Sequence, residues 1–202
     1  LIIIYFLGSR IGKFNSDGSP NAIPGSNIPL SAAGVLILWL GWFGFNGGSV
    51  LSADPELTSL TLVTTCLAAS AGGVSSALMS NLLYKNFDLT MFMNGVLGGL
   101  VGITAGADQM GPTSAILIGA IAGVILVFGI SLLDKLKLDD PVGAIPVHLI
   151  CGIWGTLAVG IFGEMASVEQ FINQLIGVGI IGAFSCITAT IIVFIVKATV
   201  GL

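Results

Sequence analysis

Long apolar runs and short polar breaks alternate along the whole chain. The apolar runs fall at about 1–8, 30–49, 57–84, 91–107, 112–133, 143–163 and 172–197. The breaks between them are rich in Gly, Ser, Asn, Asp and Pro. No run alternates polar and apolar residue by residue, as a lipid-facing β-strand would. Most are long enough for a helix to cross about 30 Å of hydrocarbon, where every backbone N–H and C=O must be satisfied within its own segment. Each run therefore predicts a helix, and the short breaks predict antiparallel neighbours in one bundle. The first run, LIIIYFL, is too short to cross. No methionine or basic residue precedes it and no small-residue cleavage site comes after it, so it reads as the tail of a span that begins upstream rather than as a signal peptide.

Composition fixes the solvent. Of 202 residues 8% are charged and 55% are hydrophobic, against about 25% charged in an ordinary soluble domain. So few charges cannot cover a water-facing surface. A disordered chain, a nucleic-acid binder and a typical soluble enzyme are excluded, and the lipid bilayer becomes the principal partner. Numbering the breaks by the side they share puts Arg10, Lys13, Lys85, Lys135, Lys137 and Lys197 on one side. Asp54, Glu56, Asp108, Glu164 and Glu169 fall on the other, with no basic residue. This asymmetry marks the basic side as cytoplasmic, in a multi-pass cell-membrane protein. Helix 30–49 then runs from cytoplasm to outside. Five glycine pairs at i, i+4 (Gly44/Gly48, Gly95/Gly99, Gly98/Gly102, Gly102/Gly106 and Gly119/Gly123) predict close helix packing. Cys66, Cys151 and Cys186 lie in apolar runs without metal-ligand spacing, so free thiols, no metal and no cofactor are expected.

Two places carry candidate chemistry. His148, the single histidine, lies about a turn and a half into run 143–163. An ionisable group there faces a cavity or a partner, or is a structural histidine bonded to a neighbouring helix. Pro146, two residues earlier, removes a backbone N–H and distorts the local helix. At the outer end of run 30–49, in GWFGFNGGS (41–49), Trp42, Phe45 and Ser49 are spaced i, i+3 and i+7. They fall within an arc of about 60°. An aromatic pair ending in a hydroxyl suits a small cation, and an interfacial aromatic belt accounts for the same residues. Asp139 and Asp140 lie in a loop and no carboxylate lies inside a run. Paired-carboxylate catalysis and a buried sodium or proton site are therefore not expected. No phosphate-loop motif is present.

GWFGFNGGS (41–49), DDPVGAIPVHLICGIWGTLAVGIFG (139–163) and MNGVLGGLVGITAGAD (93–108) resemble the signatures of the ammonium transporter family, its Amt branch in particular. The resemblance covers essentially the whole chain. It implies an all-α polytopic fold in which residues 1–202 form a partial ammonium transporter domain. That domain runs from the end of the family's helix five through helix eleven: the second of two inverted halves plus the final helix. It further implies that Ser49 is the serine of the external recruitment site and that Trp42 belongs to the same aromatic motif. Phe45 would be one of two stacked gate phenylalanines, and His148 the second of twin pore histidines. Their partners would lie in the first half. Some bacterial members carry an aspartate where this chain has Gly143. Homotrimers and a cytoplasmic regulator of the PII type are implied as well.

The activity implied is transport of ammonium or ammonia, not catalysis. An ammonium sensor signalling to a cytoplasmic partner would share every pore residue. A neutral gas channel of the Rhesus type is disfavoured by the GWFGFN motif. A retinal photoreceptor is disfavoured because Lys197 lies near a helix end and no interior carboxylate could pair with it.

Overall fold

The computed structural model describes residues 1–201. Its helices are α1 (Ile2–Leu7), α2 (Ile28–Ser49), α3 (Pro55–Tyr84), α4 (Leu89–Thr104), α5 (Pro112–Lys135), α6 (Cys151–Phe162) and α7 (Val168–Thr199). A π-wound segment, Ile145–Ile150, leads directly into α6. The described residues form no strand, only an isolated bridge between Phe14 and Pro20.

Helix starts follow local chemistry. Asn27, Asp54, Asp88 and Ser167 each accept a hydrogen bond from a first-turn N–H, replacing partners that helix geometry cannot supply. Pro55 and Pro112 take first positions, where a missing N–H costs nothing. α3 stops at Lys85, which adopts the left-handed conformation at φ 57°. Such caps lie outside the apolar runs, so α2, α3 and α7 begin two to four residues before the positions read from hydropathy. α4 runs 89–104 rather than 91–107, because Ala105–Gln109 winds into turns.

The centre of the molecule is α3, α4 and α5, held together by small residues. A Cβ added at Gly99 or Gly119 would strike the Ala68 carbonyl of α3, and one at Gly123 would strike the Gly72 carbonyl. Gly155 of α6 meets the backbone of Gly102 in the same way. These glycines let backbones touch, which is what draws helices together where lipid removes the hydrophobic driving force. Gly44 and Gly48 depart from the expectation. A Cβ at either meets nothing within 4 Å, so that pair packs against no other helix among the described residues. α2 and α7 sit at the rim, each with a single buried residue, Asn46 and Val193.

Loops sort to two ends. At one end the 8–27 loop meets the α5–α6 connection. Arg10 pairs with Asp139 through Nε (2.7 Å) and Nη2 (2.9 Å), and Lys13 pairs with Asp134 (3.1 Å). Phe6 packs edge-on against Phe194, at 5.3 Å between ring centroids, so the C-terminal end of α7 belongs to this end too. At the other end Thr64 of α3 donates to the carbonyl of Ala107 (2.6 Å). Asp139, read from sequence as a plain loop carboxylate, is only 4% exposed and anchors the first of these ties. Its pairing with the Arg10 guanidinium holds the carboxyl below the usual aspartate range.

Candidate functional site

The C-terminal end of α2 brings Trp42, Phe45 and Ser49 together. The two rings meet edge-on with centroids 5.7 Å apart. The Ser49 hydroxyl donates to the Phe45 carbonyl one turn back (2.7 Å). Its hydrogen is thereby fixed, and its lone pairs remain for a donor. Trp42 is half-buried, and its Nε1–H donates to Thr104 Oγ1 of α4 (2.8 Å). Phe45 and Ser49 are exposed.

Hydropathy and motif spacing pass over the side chain between them. Asn46 is the one buried residue of α2, 3% exposed, and donates from Nδ2 to Thr65 Oγ1 of α3 (3.0 Å). The available signal is an amide on the flank of an otherwise apolar helix facing a threonine-rich one. Asn46, Ser49, Val50, Thr61, Thr104, Asp108 and Gln109 surround a cavity of about 230 Å³.

His148 lies apart from this cluster. It is not a turn and a half into a regular helix, as the run 143–163 implies. The α-helix begins three residues later, and His148 is the fourth residue of the π-wound segment. The cause is local. Gly143 takes φ +74°, close against Asn94 of α4. The Asp140 carboxylate then accepts from the N–H groups of Ala144 (3.0 Å) and Ile145 (2.7 Å). Pro146 has no N–H, and Val147 N–H reaches the Gly143 carbonyl (3.0 Å). All four first-turn positions are thus accounted for. The distortion that Pro146 predicts takes the form of π winding, a geometry frequent at functional sites.

Packing against α4 sets the depth of His148. Added Cβ atoms at Gly98, Gly152 and Gly155 would meet, respectively, Cys151, Val101 and Gly102. α6 therefore runs parallel to α4 with Cys151 level with Gly98, and His148 falls beside the Gly95–Gly98 turn. That turn is the middle of α4. A helix that starts with His148 in its first turn nevertheless places it at mid-depth, because Asp140 and Gly143 carry the start into the bundle.

α4 links the two places. Its positions 94, 97, 101 and 104, and position 108 in the turns beyond it, are all half-buried while most of their neighbours are buried. They form a stripe at helical spacing between α2 and the π-wound segment. Thr104, tied to Trp42, lies toward one end and Asn94, against Gly143, at the other. His148 sits roughly 10 Å inward of Thr104 at 1.5 Å per residue. His148 itself is exposed, with no hydrogen-bond partner among the described residues.

The model of the Ammonium Transporter Family matches residues 1–202. The chain belongs to the ammonium transporter family. Among its relatives, "Ammonium transporter Amt2" of Archaeoglobus fulgidus is 47% identical over 164 residues, 81% of this chain and 35% of that protein. A "Putative ammonium transporter" of Synechocystis is 44% identical over 196 residues, 93% of this chain and 43% of that protein. The solved structure of a "Sensor Amt Protein" superposes with a TM-score of 0.93 at 35% identity, covering 98% of this chain and 51% of that one. Candida albicans Mep2 shares the fold, with a TM-score of 0.89 at 24% identity and similar coverage. The chain thus spans about half or less of the length of these proteins, and its all-α membrane bundle is the fold they share.

Proposed function

We propose that this chain forms one wall of a pore that conducts ammonia after recruiting ammonium, in a multi-pass protein of the cell membrane. The observation that carries the reading is the half-buried stripe of α4, which joins the Trp42–Phe45–Ser49 cluster at one end to an unpartnered His148 at mid-depth. Ammonium and potassium have similar size and charge. Ammonium alone donates directed N–H bonds, and Ser49 offers an oxygen whose own hydrogen is occupied, beside aromatic faces that attract cations. An ion crossing a narrow apolar passage would lose its hydration at a cost of several kcal/mol or more. Shedding the proton at the outer site removes most of that cost. Ammonia then passes Phe45 and meets His148, whose imidazole both donates and accepts. In this reading the end bearing Arg10, Lys13, Lys85, Lys135, Lys137 and Lys197 faces the cytoplasm. The bare apolar faces of α2 and α7 meet lipid, the first half of the protein and other subunits of a homotrimer. A PII-type regulator would dock at the basic end.

Uptake of ¹⁴C-methylammonium by proteoliposomes carrying the full-length protein tests this. Wild type takes it up saturably and in competition with ammonium. His148→Ala, folded and monodisperse, reduces uptake at least about tenfold, the size of effect for a removed proton-handling group. Equal uptake by both would return His148 to a structural role. A second reading, an ammonium sensor, draws support from the 35% identity to a "Sensor Amt Protein". Growth of a transport-deficient host on limiting ammonium separates the two, since a sensor that does not transport leaves growth unrescued.

A further inference from the structure

The connection 136–144 carries the chain from α5 to the π-wound segment, and side chains fix its path. Asp139 is turned into the protein, its side chain 1% exposed. Every hydrogen bond that reaches its carboxylate among the described residues comes from Arg10 of the 8–27 loop. The Arg10 backbone N–H (2.9 Å) and Nε (2.7 Å) donate to Oδ2, and Nη2 (2.9 Å) donates to Oδ1. The planar guanidinium fork fills both oxygens at once, which a lysine cannot do. Asp140 comes next in the chain. Its two oxygens take the N–H groups of Ala144 (3.0 Å) and Ile145 (2.7 Å), where the π-wound segment begins. Pro141 and Val142 are exposed, and Gly143 rests against Asn94 of α4. The connection is thus held by Arg10 on the loop side and by Asn94 on the bundle side. Its third tie, Asp140, starts the turn that carries His148.

A buried carboxylate left without a partner is strongly unfavourable. Without Arg10 the connection turns outward until Asp139 meets water, and Asp140 is joined to it through a single peptide unit. A shift at Asp139 therefore reaches the acceptors of Ala144 and Ile145, and with them the turn that holds His148. We propose that Arg10 is a positioning residue for His148, acting through Asp139 and Asp140. Lys13 ties the same loop to Asp134 (3.1 Å) but has no such route, because Asp134 lies within α5, ahead of the connection. The positioning stands on these contacts alone; its effect on uptake rests on the transport reading above.

Amide hydrogen exchange and methylammonium uptake, both on the full-length protein, test the assignment. Arg10→Gln should speed exchange at 144, 145 and 147–150 by about tenfold or more, as local opening becomes easier. It should lower the maximal uptake rate about threefold to tenfold at unchanged KM, since misplacing a working group costs rate and the Ser49 cluster is untouched. Arg10→Lys, with the charge but without the fork, should fall between. Should Arg10→Gln fail to fold, Arg10→Lys carries the test in the same direction. Lys13→Gln should loosen the 8–27 loop and leave both the exchange at 144–150 and the uptake rate at wild-type values. Unchanged exchange at 144–150 in a folded Arg10 variant overturns the proposal. Equal loosening of 144–150 by Lys13→Gln overturns it as well, since the effect would belong to the loop as a whole. So does faster exchange with an unchanged maximal rate. Faster exchange in a protein whose wild type takes up no methylammonium upholds the positioning and overturns the transport reading instead.

Discussion

The α3–α4–α5 centre and the α2/α7 rim are built from similarly apolar helices, yet only the centre is buried. α5 and α7 are the two most hydrophobic spans. α5 has nine buried residues and α7 has one. Both carry glycines, and the difference lies in what those glycines touch. Gly119 and Gly123 of α5 sit against α3 backbone, whereas Cβ atoms at Gly177, Gly179 and Gly182 of α7 would meet nothing within 4 Å. In a membrane, apolarity does not tell inside from outside, since lipid is as good a partner as leucine. Close backbone approach does, and only small residues facing small residues allow it.

The sharpest way to break this contrast is a bulky residue in each region. Gly99→Leu should give no folded protein, since its Cβ would collide with α3 backbone that cannot step aside, at a cost above about 3 kcal/mol. Gly182→Leu should express and purify like wild type. Size-exclusion profiles of the two in mild detergent check both, and a monodisperse Gly99→Leu would mean that α3 and α4 are not in backbone contact.

A smaller effect should arise at the seam between centre and rim. Asp140→Ala strips the Ala144 and Ile145 N–H groups of their acceptor, and should destabilise by about 1–2 kcal/mol. Thermal unfolding by intrinsic fluorescence would register it, with Asp140→Asn recovering part of the loss.

Weaker still is the tie between Arg10 and Asp139. The folded state holds the Asp139 carboxyl below its unfolded value near about 3.9, so the stabilisation is present above about pH 4 and lost as pH falls through the folded pKa. Arg10 stays charged throughout. Proteolysis of the 8–27 loop should therefore accelerate below about pH 4, and Asp139→Asn should be cut readily at every pH. A wild-type loop equally resistant at about pH 3 and about pH 7 would show that the ion pair does not hold it. Smallest of all, Gly182→Ala should raise stability by about 0.5–1 kcal/mol through helix propensity alone, a gain that Gly119→Ala should reverse.

Hydropathy is enough for the existence and order of the helices, because a helix in lipid announces itself as an apolar run. It is blind to three things. It does not show that Gly44 and Gly48 face outward while Gly95 and Gly99 face in, since a spacing carries no direction. It does not rank Asn46 above Ser49 in burial, because burial of an amide depends on Thr65, nineteen residues away on another helix. And it leaves Asp139 and Asp140 as ordinary loop residues, although one is tied to Arg10 across 129 positions and the other finishes the start of the π-wound segment. The grouping of Trp42, Phe45 and Ser49 is legible as spacing on one helix. The relation of that group to His148 is not, for it runs through α4.

Winding at five residues per hydrogen-bonded turn in place of four sets the phase between the segments on either side of it. Residues 140–144 are fitted to the mouth of the bundle, and residues 151–162 are fitted to α4 through Cys151 and Gly155. The two fittings agree only because the wider turn absorbs one residue between them. Rewinding 145–150 as ordinary helix at unchanged length would swing one half about 100° around the axis relative to the other. The chain would then have to choose between its capped start and its glycine contact with α4. A stretch that looks like the most forgiving kind of apolar sequence thus has its winding tied to its length: six residues fit only as the wider turn, and ordinary helix would fit only with one residue fewer.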